Sequence, residues 1–128
     1  MLKKLLFGML GLALLTVLFA ACTIRDAASG PSGPSVKMGP TTFLQAEVKV
    51  PKGQKLALVN ASTQPHIIFN GTWEGATPKN ETEPGAPKVS NLNIQANQTA
   101  TIGPFTTAGT FKYYCSIHGG MNLTVVVA

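Results

Sequence analysis

The sequence predicts an all-β domain, a sandwich of about seven to eight short strands. Short apolar runs with weak alternation recur along residues 36–128, and residues that favour turns separate them. This pattern favours a sandwich over a helical fold. The 93 residues of the segment suffice for one hydrophobic core of ordinary size, so we expect a single domain over 36–128.

The predicted strands follow from the apolar runs in chain order. The first run lies within residues 43–50 and ends at the turn residues 51–53, Pro-Lys-Gly. The later runs lie at 56–59, 67–69, 89–94, 99–102, 111–115 and 123–127. Residues 70–88 are rich in Gly, Pro, Thr and Asn, which predicts a solvated surface loop. Trp73 and several acidic residues in that loop leave partner docking as the alternative.

Residues 1–21 have the layout of a secretory signal peptide. Two lysines precede an almost wholly apolar run over residues 5–21. That run is about as long as the shortest membrane span, so an uncleaved anchor helix is one alternative and ordinary cleavage is another. Residues 18–22, Leu-Phe-Ala-Ala-Cys, resemble a bacterial lipobox, in which the cysteine is acylated and becomes the new N-terminus. We therefore expect export and a lipid anchor at Cys22.

Residues 22–35 form the expected lipidated N-terminus and a linker rich in Gly, Pro and Ser. Such a composition buries too little apolar surface to fold, which predicts a flexible spacer. The domain should then lie at the periplasmic or extracytoplasmic face of a membrane. The spacer would hold it within a few nanometres of the lipid surface.

The charge balance argues against nucleic-acid binding. The chain has 10 Lys+Arg against 5 Asp+Glu, and removal of Lys3 and Lys4 with the signal peptide leaves 8 against 5. No run of basic residues remains in the mature sequence. A net charge this small can bias which protein docks, but it identifies no partner.

Cysteine use points to a metal. The chain has two cysteines, Cys22 and Cys115, and lipidation of the first leaves an exported protein with one thiol. A disulfide between the two would tie a flexible tail to the far end of the domain. Metal ligation explains the remaining thiol better than that disulfide does.

A thiol, an imidazole and a thioether recur at three-residue intervals at Cys115, His118 and Met121. They lie between two predicted strands, which places them on a tight loop at one end of the sandwich. The other histidine, His66, stands at the start of an earlier predicted strand. Two His and one Cys in a trigonal arrangement, with a weak axial Met, form a type 1 copper site. Soft sulfur suits Cu(I) and imidazole tolerates both oxidation states, so this set predicts one copper per chain.

Each of these residues also has an ordinary structural explanation. Met121 can fill a core, His66 can be a structural histidine on a strand, and Cys115 can be a small buried hydrophobe. The joint placement of both histidines, the thiol and this methionine in ligand-like positions favours the metal site over these separate explanations.

The segment 109–121, Gly-Thr-Phe-Lys-Tyr-Tyr-Cys-Ser-Ile-His-Gly-Gly-Met, resembles the C-terminal ligand loop of the cupredoxins, and within them of the plastocyanin and amicyanin type. Its spacing is that of amicyanin. Residues 60–69, with Pro65 and His66, are similar to the segment that holds the family's first His ligand. The resemblance implies a cupredoxin-like Greek-key β-sandwich and a blue copper site.

One position departs from the family pattern. The residue after the first His ligand is commonly Asn in cupredoxins, where it helps to tie the two ligand loops together, and here it is Ile67. The sequence therefore predicts that a backbone group or another side chain, with Asn60 and Thr106 as candidates, supplies that tie.

The expected function is that of an electron carrier, with redox proteins of a respiratory or photosynthetic chain as transient partners and a monomeric state. A copper-delivery module is the alternative, although the chain has no Met-rich or His-rich tract. We expect no enzyme activity, since both histidines are used as ligands and no open catalytic site can be built.

Electrons should leave through the edge of His118, near solvent at the end of the sandwich. Gly119, Gly120 and Pro65 are the expected rim of that surface, and Pro40 is a weaker candidate. Tyr114, next to the ligand Cys115, is a candidate second exit, because strand alternation points it away from the copper side. The alternative for Tyr114 is a surface aromatic that β-propensity favours.

Overall fold

The computed structural model describes residues 31–128, which fold into nine strands in two sheets. The strands are β1 (Ser35–Met38), β2 (Glu47–Val50), β3 (Leu56–Asn60), β4 (His66–Glu74), β5 (Thr77–Asn80), β6 (Leu92–Ile94), β7 (Thr99–Ile102), β8 (Gly109–Cys115) and β9 (Asn122–Val127). The prediction of an all-β sandwich is confirmed. Within residues 31–128, no helix is long and apolar enough to cross a membrane.

The predicted signal peptide, the predicted lipidation site Cys22 and residues 22–30 of the predicted linker lie outside the described residues. β1 begins at Ser35, one residue ahead of the predicted start of the domain.

The two sheets mix parallel and antiparallel pairs. The smaller sheet has the order β1-β3-β7, with β1 parallel to β3 and β7 antiparallel to it. The larger sheet has the order β2-β9-β8-β4-β5, and β6 also pairs with β4. In this sheet β2 runs parallel to β9, while β8 runs antiparallel to both β9 and β4.

Strict alternation in β9 shows how the sequence forms the core. Leu123, Val125 and Val127 are buried, whereas the residues between them are partly exposed. Because side chains alternate across a strand, these three point to one face, where the neighbouring β8 adds Phe111 and Tyr113. Full burial of a large apolar side chain stabilises a fold by about 1.5–3 kcal/mol, so this face is a main source of stability.

The sequence did not predict two strands, β1 and β5. β1 is only four residues long, and its buried Val36 and Met38 pack against the core. All four residues of β5 are exposed, so this strand has no apolar alternation by which a sequence could mark it. Backbone pairing with β4 defines it instead.

The prediction that residues 70–88 form a solvated loop is wrong for their first part. β4 continues to Glu74, and a two-residue turn leads into β5. Gly75 occupies the first turn position at φ 60°, a conformation that glycine adopts without steric cost. Gly71, at φ 123°, lies so close to β5 that a Cβ there would overlap the carbonyl oxygen of Lys79. A hairpin therefore forms where the turn-rich composition predicted irregular structure.

Candidate metal centre

Sheet topology brings the predicted ligands together. β4 begins at His66 and β8 ends at Cys115. The two strands are antiparallel, with Ile68 paired to Cys115, so the start of one lies beside the end of the other. Residues 116–121 then form the short connection from β8 to β9. Residues that are 49 positions apart in sequence thus meet at one end of the sandwich.

His66, Cys115 and His118 form a compact donor cluster. One ligand atom from each lies within 4.8 Å of the others. The Sγ atom of Cys115 is 3.4 Å from Nδ1 of His118, and the two imidazole centroids are 5.0 Å apart. His66 and Cys115 are fully buried, while His118 is partly exposed. The cluster therefore has an enclosed side and one imidazole that approaches solvent.

A hydrogen bond at one nitrogen of the His66 ring fixes its orientation, and the other nitrogen has no hydrogen-bond partner among the described residues. Nε2 lies 2.9 Å from the carbonyl oxygen of Gly39, which can only accept, so Nε2 carries the proton. Nδ1 is then an acceptor, and it is buried without a hydrogen-bond partner among residues 31–128. A buried polar atom without a partner is costly, and a bound metal ion would satisfy this one. Metal-binding histidines commonly donate their other ring N–H to a carbonyl in this way.

Electrostatics also keep His66 neutral, the form that binds a metal. Burial lowers its pKa from the ordinary value of 6.5, and the nearby charge of His118 lowers it further. The hydrogen bond to Gly39 acts in the opposite direction. The net shift is downward, so the imidazole is neutral at pH 7.

The backbone closes the ligand loop on itself. The N–H of Cys115 donates to the carbonyl oxygen of Met121 at 3.0 Å, and the N–H of Met121 donates to that of His118 at 3.2 Å. Met121 is 1% exposed and packs in the same core cluster as Cys115. Its side chain is thus in the same buried environment as the thiol. Its role as a weak axial ligand stays a prediction.

A backbone group replaces the missing Asn at Ile67. The carbonyl oxygen of Ile67 accepts hydrogen bonds from the backbone N–H of Ser116 at 2.9 Å and from its hydroxyl at 3.4 Å. These bonds join the strand that begins at His66 to the loop that follows Cys115. Of the two predicted side-chain candidates, Thr106 is exposed, and the side-chain hydrogen bonds of Asn60 reach residues 62–64 and 94–95 rather than the loop after Cys115.

Asn60 organises the turn that precedes His66. Its side-chain N–H groups donate to the carbonyl oxygens of Gln64 at 2.7 Å and Gln95 at 3.0 Å. Its Oδ1 accepts from the backbone N–H of Ser62 at 3.0 Å and from the hydroxyl of that residue at 2.8 Å. This buried network fixes the path of the chain into β4.

The chain is similar to known copper proteins. A sequence model described as "Copper binding proteins, plastocyanin/azurin family" matches residues 34–128. The chain belongs to this family. Its cofactor is copper, and the cupredoxin resemblance predicted from the ligand loop is confirmed. No curated protein sequence matches the chain.

Solved structures of amicyanin share the fold. Amicyanin from Paracoccus versutus (Thiobacillus versutus) superimposes with a TM-score of 0.58 at 22% identity, covering 80% of this chain and 87% of that one. A reduced proline variant of amicyanin gives a TM-score of 0.59 at 22% identity, with 80% and 88% covered. These superpositions show that the predicted ligands lie in a cupredoxin fold.

The residues predicted to surround the copper ligand His118 lie at the surface. Gly119 and Gly120 are exposed, Pro65 is partly exposed, and Pro40 is exposed. Sequence reasoning missed Ile117, a ligand-loop residue that is 47% exposed. Ile117 is the one large apolar side chain between Ser116 and Gly120, and that position in the loop could have indicated an exposed apolar residue.

Tyr114 is not part of that surface, which corrects the prediction of an exposed second exit. It is 3% exposed, and its hydroxyl donates to Oδ1 of Asn80. Its ring stacks on Phe69 with a centroid distance of 6.0 Å, and Trp73 covers it edge-on at 6.0 Å. The β4–β5 hairpin therefore covers the face where strand alternation predicted an exposed aromatic.

Trp73 contacts the copper-binding segment, a role the sequence did not predict. Its indole Nε1–H donates to the carbonyl oxygen of Cys115 at 2.8 Å. Its backbone N–H donates to Oδ1 of Asn122 at 2.7 Å, and Nδ2 of Asn122 donates to its carbonyl oxygen at 3.2 Å. A single tryptophan within a polar segment was a signal, but its partner depends on a hairpin that the sequence pattern did not mark.

Proposed function

We propose that this protein is a membrane-tethered carrier of single electrons, with one type 1 copper held by His66, Cys115 and His118 and weakly by Met121. The observation that carries the proposal is the unpartnered, buried Nδ1 of His66, aimed into a cluster that already contains a thiol and a second imidazole. Copper bound to such a set accepts and returns one electron between Cu(I) and Cu(II).

The protein contributes a rigid donor set. Cys115 and His66 are fully buried, and backbone or side-chain hydrogen bonds fix both residues. Packing at interior density resists displacement of such groups. Little movement of the ligands between oxidation states favours fast electron exchange. Partly exposed His118, beside exposed glycines, supplies the contact with a partner.

Burial also weighs against copper delivery. A delivery protein must release its metal, whereas two of the three clustered ligands here are inaccessible to solvent. The sequence has only two His and four Met, so it offers no accessory tract for transfer. Electron transfer fits these features better than metal transfer.

The tether and the location rest on the N-terminal sequence. The lipobox-like segment 18–22 supports acylation of Cys22, and the Gly-, Pro- and Ser-rich composition of the residues that follow supports a spacer between the lipid and the domain. We place the domain at the periplasmic or extracytoplasmic face of a membrane, where redox proteins of a respiratory or photosynthetic chain dock transiently. Cys22→Ser should release the protein from membranes on fractionation, and retention of this variant would contradict the lipid anchor.

An absorption spectrum tests the copper site. One equivalent of Cu(II) should turn the protein intensely blue or green through charge transfer from the Cys115 thiolate, and Cys115→Ser should abolish the colour. Cys22→Ser is the matched control, since it removes the other cysteine and should leave the spectrum intact. Stoichiometric copper binding without colour would instead support delivery.

A further inference from the structure

Within the hairpin formed by β4 and β5, the side chain of Trp73 bonds to the backbone of Cys115 at the end of β8. β4 pairs with β8 from Ile68 to Asn70, and Gly71 follows in a left-handed conformation at φ 123°. Two residues later, the indole of Trp73 bonds to Cys115, the pairing partner of Ile68. The side chain of Trp73 therefore reaches from beyond Gly71 to the end of β8.

Trp73 completes the hydrogen bonding of the Cys115 backbone. The N–H of Cys115 is bonded to Met121 across the loop, which leaves its carbonyl as the remaining backbone polar group. The indole N–H satisfies that carbonyl. Both backbone polar groups of Cys115 are thus bonded, one within the loop and one to the hairpin.

The same residue also holds the other end of the loop. Asn122, directly after Met121, exchanges two hydrogen bonds with the backbone of Trp73. Trp73 therefore contacts the chain at both ends of segment 115–122, where the ligand loop leaves β8 and enters β9. A contact at both ends fixes the distance that the loop spans.

We propose that Trp73 and Asn122 form a clasp that sets the width of the ligand loop and so positions the Cys115 and Met121 side chains. Trp73 is a positioning residue that acts through the backbone of Cys115. The inference rests on the proposed copper site for its effect on function. The hydrogen bonds of the clasp join protein atoms only, so the clasp can be tested separately from copper binding.

Amide hydrogen exchange in the metal-free protein tests the clasp directly. Trp73→Phe keeps an aromatic ring against Tyr114 but removes the N–H that bonds Cys115. In this variant the Cys115 N–H keeps its bond to Met121, but the Cys115 carbonyl loses its bond to the indole. We expect the Cys115 amide to exchange about fivefold faster, because the loop opens more readily when one of the hydrogen bonds that hold it is lost. Glu74→Gln is the control: it removes the exposed ion pair with Lys79 in the same hairpin, and it should leave the Cys115 amide unchanged.

The copper-loaded protein supplies a readout that a merely stabilising residue would not move. Trp73→Phe and Asn122→Ala should both change the ratio of the charge-transfer bands and the reduction potential, in the same direction. Asn122→Ala leaves the tryptophan in place, so an effect shared with Trp73→Phe excludes a simple loss of aromatic volume. Glu74→Gln should keep both properties of the native protein.

The outcomes separate the two proposals. If both clasp variants lose stability but keep the native spectrum, potential and Cys115 exchange rate, Trp73 only stabilises the hairpin and the clasp is overturned. If native protein fails to bind copper as a coloured complex while the Cys115 amide exchanges faster in Trp73→Phe, the proposed function fails and the clasp stands.

Discussion

The carbonyl oxygen of Gly39 accepts a hydrogen bond from Nε2 of His66 at 2.9 Å, which joins the residue after β1 to the first residue of β4. The metal centre therefore spans both sheets of the sandwich. The bond fixes the protonated nitrogen and directs the unpartnered Nδ1 toward Cys115 and His118. The orientation of this ligand is therefore set by a contact within the protein.

This arrangement predicts strong stabilisation by copper. Without metal, the fold keeps a buried acceptor that has no partner among residues 31–128. Copper that binds only the folded state, at a free concentration about a thousandfold above its Kd, should raise the free energy of unfolding by about 4 kcal/mol. Thermal unfolding with and without copper measures the effect. Cys115→Ser should show a much smaller shift, and equal melting temperatures of the native protein in both conditions would contradict the site.

The second prediction concerns the axial position. Met121→Leu should keep copper and colour while raising the reduction potential, because it removes a weak sulfur donor. Met121→Gln should lower the potential, because an oxygen donor favours Cu(II). Cyclic voltammetry of the two variants beside native protein measures both shifts. Loss of copper from both variants would show that Met121 is not a weak axial ligand.

The third prediction concerns alkaline pH and the two tyrosines. Burial raises the pKa of Tyr113 above its ordinary value of 10.0, and the charge of Glu83 raises it further. Burial also raises the pKa of Tyr114. A raised folded-state pKa contributes stability that is fully present below pH 10 and is lost as pH rises toward the folded-state value. Spectrophotometric titration should therefore show no tyrosinate until well above the pH at which free tyrosine ionises.

Tyr113→Phe is the matched variant for this titration. It removes the hydroxyl that donates to the carbonyl oxygen of Pro87 at 3.0 Å, which costs about 1 kcal/mol at neutral pH. Its stability should then decline less than that of native protein as pH rises above about 10. Early ionisation of both tyrosines in the folded protein would refute the prediction.

The copper ligands could be predicted from the sequence because their side chains carry characteristic donor atoms. The backbone contacts that position them could not be predicted. His66, Cys115 and His118 carry donor atoms, and strand periodicity placed them at one end of a sandwich. The Gly39 carbonyl that orients His66 belongs to a residue type with no distinguishing chemistry. Trp73 was visible as a residue, but its contact with Cys115 depends on a hairpin whose second strand is wholly exposed.

The unpredicted β4–β5 hairpin also explains why Tyr114 was wrongly expected to be exposed. Strand alternation correctly indicated that it points away from Cys115, since adjacent strand residues face opposite sides. Alternation could not show that another segment covers that side. Burial under Trp73 and the bond to Asn80 follow from the β4–β5 hairpin, so exposure was mispredicted even though the direction was right.

The last prediction locates the exit of the electron at His118. Gly119 is exposed, and a Cβ added there would have no atom within 4 Å other than those of Gly119 and its two chain neighbours, so a side chain at this position should not disturb the fold. A charged side chain would be desolvated when a partner docks against His118, which is costly. Gly119→Lys and Gly119→Asp should therefore both slow electron exchange while the absorption spectrum stays unchanged. Stopped-flow mixing with a redox partner measures the rate.

Two controls isolate the docking surface from the copper site. Gly119→Ala adds a methyl group without charge and should exchange electrons at nearly the native rate. Tyr114→Phe removes a buried hydroxyl on the covered face, so it should cost about 1 kcal/mol of stability with little effect on exchange. A charge of either sign at Gly119 tests desolvation, whereas slowing by one sign alone would indicate charge complementarity with that partner. Native rates in both charged variants would rule out the His118 route, since each places its charge directly beside that imidazole in sequence.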